Sequence, residues 1–284
     1  MRGWWCRIPV MGLALLGVAG CAAPLAPASV AGLAPAQIVA GCCEGAGGYP
    51  DWMIALADAN VGTLRRLGLI QLRPGRMTTQ PEAVALLESA LRPMDVVFFH
   101  SDNRVSGLLI PGQFTHGAVY IGTEVQLRAA GLWHHPALAP YHDQIRAGHI
   151  YLEAVDGGVR LASATVALDT DAVVALRPRA TGRAAALARG LSRMGTPFDM
   201  RFDATDPSAL FCAELIALIY AEAQLPRTQV PGRETILIDR IVAGALSGEL
   251  PFGLVGYVEA SPGGGARVAS VTDLAWDVRQ SWPD

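Results

Sequence analysis

The sequence predicts an α+β fold, and three observations carry that prediction. Short apolar runs of strand length crowd the middle of the chain: Asp95–Phe99, Phe114–Ile121, His149–Val155 and Asp171–Leu176. Segments with apolar residues at helical spacing stand on both sides of them. One of these, FCAELIALIY from Phe211 to Tyr220, sets Leu215, Ile216 and Ile219 on one face, with Cys212 on the same stripe a turn earlier.

The chain has 284 residues, enough for one large domain or two small ones with a sizeable core. Its net charge of −3 is too balanced to suggest a nucleic-acid partner or an anionic membrane surface. All 22 basic residues are arginine. Having no lysine excludes a Walker phosphate loop, a pyridoxal Schiff base, a kinase fold and a Ser-Lys hydrolase. No motif asks for a cofactor.

Residues 1–20 read as a targeting segment: Arg2 and Arg7, then an apolar run from Ile8 to Gly20, too short for a comfortable membrane span. The run ends in Val18-Ala19-Gly20-Cys21, which resembles a bacterial lipobox in which Cys21 becomes the acylated first residue. An ordinary signal peptide with an incidental cysteine is the alternative. Either reading sets the mature chain outside the cytoplasm, in the cell envelope. Residues 21–48 are rich in Ala, Pro and Gly and read as a tether. Within it, Cys42 and Cys43 are not expected to bond each other, nor to reach Cys212.

Two helices are expected in an N-terminal extension over 49–93, at Trp52–Leu72 and Pro81–Leu91, packed on the outside of the domain. The main domain, 94–260, then begins with Asp95–Phe99. Ser106–Ile110 is a short apolar turn or helix. Phe114–Ile121 points His116, Ala118 and Tyr120 to one face. HIYLEAV, the turn DGG and VRLAS make a hairpin, with Tyr151, Glu153 and Val155 on one face. Helices are expected at Thr181–Met194, with Thr181 as a possible cap, and at Thr235–Leu246, and a closing strand at Phe252–Val258. Ser261–Ala266 reads as a Gly-rich linker, and the tail, 261–284, carries no assignment. Before Cys212, Asp206 and Pro207 offer one helix start. A later start, with Leu210 and Phe211 extended and Cys212 in the first turn, fits equally.

Cys212, His116 and Glu153 are the three parts of a cysteine hydrolase: thiolate nucleophile, imidazole base and acid, and a carboxylate that holds the tautomer. A thiol near a helix N-terminus is favoured as thiolate. The same residues also fit a buried structural thiol, a satisfied strand histidine, and a solvated strand charge or partner for an arginine. Spacing leaves both readings open.

The blocks DVVFF, FTHGAVYIG, LEAVDGGV, GTPFDMRFD and FCAELIALIY, in that order between Asp95 and Tyr220, resemble the permuted papain-like amidases of the YaeF/YiiX group. These are circularly permuted relatives of NlpC-type cell-wall hydrolases and of lecithin–retinol acyltransferase. The resemblance implies a permuted papain-like fold, a mainly antiparallel sheet packed against the nucleophile helix. It also implies thiol-based cleavage of an amide bond, with histidine, acid and nucleophile in the order His116, Glu153, Cys212. The chain departs from the pattern at Met94, where the group has glycine, and at Ala213, where it has serine.

Glu214 recurs in such blocks and is rotated away from Cys212, so it is expected to stabilise the helix N-terminus. Asp95 and Asp199 are expected to be turn or strand-end supports. His134, His135, His142 and His149 with Asp143 make a rival metal site, but their spacing matches no metal motif and no metal is expected. Gly131–Gly148 is expected to be a loop bordering the cleft, where substrate choice would reside. The function expected is a lipid-anchored envelope cysteine amidase or peptidase. Its substrate would be a small peptide, a cell-wall fragment or an N-acyl compound, and it would touch the membrane through Cys21. An acyltransferase or thioesterase on the same residues, and a non-catalytic ligand-binding lipoprotein, are the alternatives.

Overall fold

The structure, a computed structural model, describes residues 27–44, 51–179 and 182–282. The targeting segment, Cys21 and Thr181 lie outside the described residues. The strands are β1 (Asp95–His100), β2 (His116–Tyr120), β3 (His149–Val155), β4 (Gly158–Ser163), β5 (Ala172–Pro178), β6 (Thr228–Val230), β7 (Arg233–Thr235), β8 (Phe252–Ala260) and β9 (Ala266–Val268). Seven of them form one sheet in the order β4-β3-β2-β1-β5-β8-β9, with every neighbouring pair antiparallel. β6 and β7 form a separate hairpin, and Thr235, expected to start a helix, ends β7 instead, with α11 beginning at Ile238.

The helices are α1 (Pro35–Ile38), α2 (Asp51–Ala59), α3 (Val61–Gly68), α4 (Pro81–Ala90), α5 (Val105–Leu109) and α6 (Glu124–Ala129). They continue with α7 (His142–Arg146), α8 (Ala164–Ala167), α9 (Arg183–Leu191), α10 (Cys212–Ile219), α11 (Ile238–Ser247) and α12 (Val271–Gln280). This is the α+β architecture expected, a mainly antiparallel sheet with the Cys212 helix packed on it. Among the described residues no helix is long and apolar enough to cross a membrane.

β1 is buried along nearly its whole length because it lies inside the sheet with helices on both sides. α10 packs on the face that carries Gly117. A Cβ there would lie 2.7 Å from the Phe98 ring and 3.0 Å from Ile216 Cδ1, so only glycine allows this approach. α4 lies against the sheet, with Ala83 and Leu87 buried, and Tyr151 donates to Glu88 at 3.0 Å. Met94, just before β1, has φ +73° while fully buried, and its N–H reaches the Tyr120 carbonyl at 2.7 Å. A left-handed methionine costs about 1–2 kcal/mol, a physical reason for the glycine that the resemblance implies at this position.

Several expectations change. Trp52–Leu72 is two helices that break at Asn60, followed by an extended stretch. The described part of the tether, 27–44, is not free. Val30, Ile38, Val39, Cys42 and Cys43 are buried, and α1 packs on α11 and α12. Its pattern was illegible because the helical pieces are only three and four residues long. Cys42 and Cys43 are bonded to one another, and Cys212 is a free thiol. The chain turns sharply there, with Gly41 at φ +73° and Cys43 at φ +69°. The tail is also folded. β9 pairs with β8, and α12 starts at a capping box in which Ser270 and Asp273 satisfy each other's backbone N–H.

Candidate active site

Cys212 is the first residue of α10, and Phe211 before it is extended (φ −97°, ψ 169°). Of the two starts the sequence allowed, the later one is found. The chain is held straight into it because Phe198 and Leu210 bridge, with Asp199 N–H on the Leu210 carbonyl at 3.2 Å and Leu210 N–H on the Pro197 carbonyl at 2.8 Å. Glu214 supports the start. Its carboxylate accepts the Phe211 N–H, while burial and the charge of Asp199 push it up to about 7. The other oxygen, Oε2, is buried without a partner.

His116 opens β2. Register places Ala118 opposite Glu153, so Glu153 is the diagonal cross-strand neighbour of His116, within reach of a long side chain. His116 Nε2 and Glu153 Oε2 are 3.0 Å apart. That occupies Nε2 and leaves Nδ1 open, and Cys212 is close enough to the ring to raise the imidazole pKa. The ring also stacks on Phe99, with centroids 5.5 Å apart. The structure therefore brings Cys212, His116 and Glu153 together, with His116 hydrogen-bonded to Glu153 and Cys212 close enough to the ring to act on its charge.

The electrostatics follow from the partners. Burial alone would lower the His116 pKa. Cys212 and Glu153 outweigh it and raise the imidazole to about 10. Burial alone would raise Glu153. His116 and Arg160 outweigh it and hold the carboxyl below its usual range. Cys212 retains 4% of its surface and His116 27% of its side chain, so the thiol is shielded and the imidazole reaches solvent.

Arg160 is the partner that the sequence reading left unnamed, with Nε 2.9 Å from Glu153 Oε1. A signal for it existed. A two-residue turn at Asp156-Gly157 pairs Val155 with Gly158 and hence Glu153 with Arg160. Asp239 was also missed. It is 1% exposed, and its carboxylate accepts the backbone N–H of Gln113 at 2.6 Å and of Phe114 at 3.0 Å, and Trp282 Nε1–H at 2.7 Å. These bonds fix the approach to His116, two residues on. Gly112 makes room, since a Cβ there would lie 2.7 Å from Asp239 Oδ2. No sequence spacing links a helix start at 239 to a loop at 113.

The supports read from sequence have structural partners. Asp95 accepts from Arg92 N–H and from both ends of the Arg177 fork, and Asp199 accepts from Arg201 N–H. Every histidine of the rival cluster has a local partner. His142 stacks on Trp133, His135 accepts from Ala137 N–H, His134 lies against Arg128, and His149 meets the Leu161 carbonyl. Among the described residues no group of three or more His, Cys, Asp or Glu is arranged to hold a metal. The stretch Gly131–Gly148 does not border the site. It joins the Tyr120 end of β2 to the start of β3, whereas His116 stands at the other end of β2. The segments at the His116 end are α5 with the loop that follows it, the β3–β4 turn and the run 196–211.

A family model described as a permuted papain-like amidase enzyme, YaeF/YiiX, C92 family, matches residues 90–238. Comparison with curated proteins gives no match, and comparison with solved structures gives none.

Proposed function

The chain belongs to the permuted papain-like amidases of the C92 family, and on that premise we propose that it is a lipid-anchored envelope cysteine hydrolase that cleaves an amide bond through Cys212, His116 and Glu153. The observation that carries this reading is the meeting of the Glu153–His116 hydrogen bond with Cys212, which stands beside the imidazole as the first residue of α10. Cys212 passes its thiol proton to His116 and attacks as the thiolate. The thiolate adds to the carbonyl carbon, and the N–H groups of the first turn of α10 face the oxyanion that forms. His116 gives its proton to the leaving amine as the C–N bond breaks, leaving a thioester on Cys212. Water then adds to that carbonyl, His116 takes its proton, and the C–S bond breaks to release the carboxylic acid. Glu153 holds the imidazole by Nε2 and balances its charge.

The substrate is a small peptide, a cell-wall fragment or an N-acyl compound. The anchor is Cys21, which follows Val18-Ala19-Gly20. The test is alkylation of the folded protein by iodoacetamide across pH. Cys212 is expected to label below pH 7, and His116→Ala to shift labelling to the ordinary thiol range near ~8.5. Slow labelling independent of His116 would mean that Cys212 is only a buried core thiol and that the catalytic assignment is wrong.

A further inference from the structure

Cys212 keeps only 4% of its surface, so a substrate reaches the proposed nucleophile only after something beside it moves. One stretch is built to move. No described side chain from Trp52 to Pro74 is buried, so α2 and α3 put nothing into the core. A segment with so few buried contacts opens at low cost.

The chain just beyond α3 is the opposite. Gln71 donates to Asp169 at 2.8 Å, and the Arg73 fork holds both oxygens of Asp171. Gly75 N–H meets Asp169 Oδ1 at 2.6 Å, and Met77 N–H reaches the Thr170 carbonyl at 3.0 Å. The Met77 side chain is fully buried. A Cβ at Gly75 would lie 2.1 Å from Thr170 N, so the two backbones are seated directly on each other. Two helices with no buried side chain therefore lead into a fixed base, with Leu69 between them as the hinge.

The contacts of α2 and α3 set them across the His116 end of the sheet. The segments there are α5 with its loop, the β3–β4 turn and the run 196–211. α3 packs on α5. Arg65 of α3 grips Asp156 in the β3–β4 turn with both ends of its fork, at 2.9 and 2.8 Å. Asp58 of α2 holds Arg233 of β7 at 2.8 Å. The next residue of β7, Glu234, accepts Ala204 N–H of the run 196–211 at 2.8 Å. The two helices thus touch two of the three segments and reach the third through β7. What holds them is charge: Arg65 is 55% exposed, and a pair so open to water is weakened by salt.

We propose that α2 and α3 form a lid on the proposed active site, held shut by the pairs Arg65–Asp156 and Arg233–Asp58, and that its opening sets the size of substrate that reaches Cys212. A short peptide or N-acyl compound enters past the shut lid, and a cell-wall strand needs it open. This deepens the hydrolase reading above and rests on it for the site that the lid covers.

The test is access to Cys212 in the full-length protein. Mass spectrometry reads its labelling by iodoacetamide and by a maleimide that carries a polyethylene glycol chain. Arg65→Gln/Arg233→Gln should raise labelling by the large reagent about threefold relative to the small one. Added salt should move the parent toward the variant. A staple should do the reverse. A Cβ at Gly68 would lie 3.6 Å from Ser106 Cβ, within the span of a disulfide. Oxidised Gly68→Cys/Ser106→Cys should lose labelling by the large reagent and regain it with dithiothreitol. The parent in dithiothreitol controls for the Cys42–Cys43 bond. Melting temperatures confirm that the variants are folded. Hydrogen exchange should quicken in α2 and α3 of the Gln variant and stay slow at 75–77. Folded variants in which the two reagents change in step, or neither changes, overturn the lid, even where exchange in α2 and α3 quickens. Labelling that follows the lid and ignores His116→Ala leaves the lid standing and removes the catalytic reading instead.

Discussion

Glu153 and Asp239 are both buried acids that serve the strand of His116, and their surroundings push them in opposite directions. Glu153 meets two cationic groups, His116 and Arg160, and is held below the usual carboxylate range despite burial. Asp239 accepts three hydrogen bonds, all from neutral donors, and burial pushes it up to about 6 against the pull of Trp282, Gln113 and Phe114. Hydrogen bonds satisfy both carboxylates, but only a counter-charge offsets the cost of removing a carboxylate from water. The acid at the proposed catalytic centre therefore carries a firm charge opposite the imidazolium. The acid behind the loop acts as a clamp whose charge is costly.

The largest expected effect comes from breaking the charged side of this comparison. Glu153→Gln should lower turnover by about 10²-fold or more, by analogy with acid-to-amide changes in hydrolase triads. It should also move the alkaline limb of the pH–rate profile, set by His116 at about 10, downward. Removing an anionic neighbour lowers the imidazole pKa. An unmoved limb would detach Glu153 from His116.

Asp239→Asn should destabilise the protein by about 1–3 kcal/mol, because the amide NH₂ must face a donor where the carboxylate accepted one. Denaturant unfolding measures this. The pH dependence of stability separates the two acids. Asp239 has a raised folded pKa, so its contribution is present below the unfolded value and lost as pH rises through about 6. Glu153 has a lowered folded pKa, so its contribution is present above the unfolded value and lost as pH falls through the folded one. Asn at 239 should flatten the loss between pH 4 and 6. Gln at 153 should remove part of the acid-side loss.

Gly117→Ala tests whether α10 needs its close seat. Overpacking against Phe98 and Ile216 should cost about 1–3 kcal/mol in stability and should reduce Cys212 alkylation in the folded protein. The smallest effect is expected at Arg160. It is half exposed, so Arg160→Gln should cost roughly fivefold at most in turnover, reduced further by salt. A loss as large as that of Glu153→Gln would make Arg160 an equal partner in holding the carboxylate.

What was legible in the sequence was local. Short apolar runs of strand length marked β1, β2, β3 and β5, and the DGG turn marked the hairpin of β3 and β4, which the structure tightens to two residues by pairing Gly158 with Val155. Apolar spacing marked α10, and Pro81 marked the start of α4. The order His116, Glu153, Cys212 was what the resemblance of the five blocks implied, and spacing alone left it open. The capping box at Ser270 was legible too, and the tail was left unassigned although Leu274, Ala275 and Val278 follow that box at helical spacing.

Tertiary structure alone decided the rest. Two helix starts before Cys212 were equal in propensity, and the bridge between Phe198 and Leu210 selected the later one. The loop taken for the rim of the cleft lies at the far end of β2, because which end of a strand faces the site depends on how its neighbours pair. The unpatterned segment 27–44 folds because α11 and α12 offer it a surface, and a few buried side chains leave no period to read. The clamp of Asp239 on the loop at Gln113 and Phe114 joins residues more than a hundred positions apart. Such a bond depends on where two elements meet in space, and local sequence specifies each element without specifying that meeting.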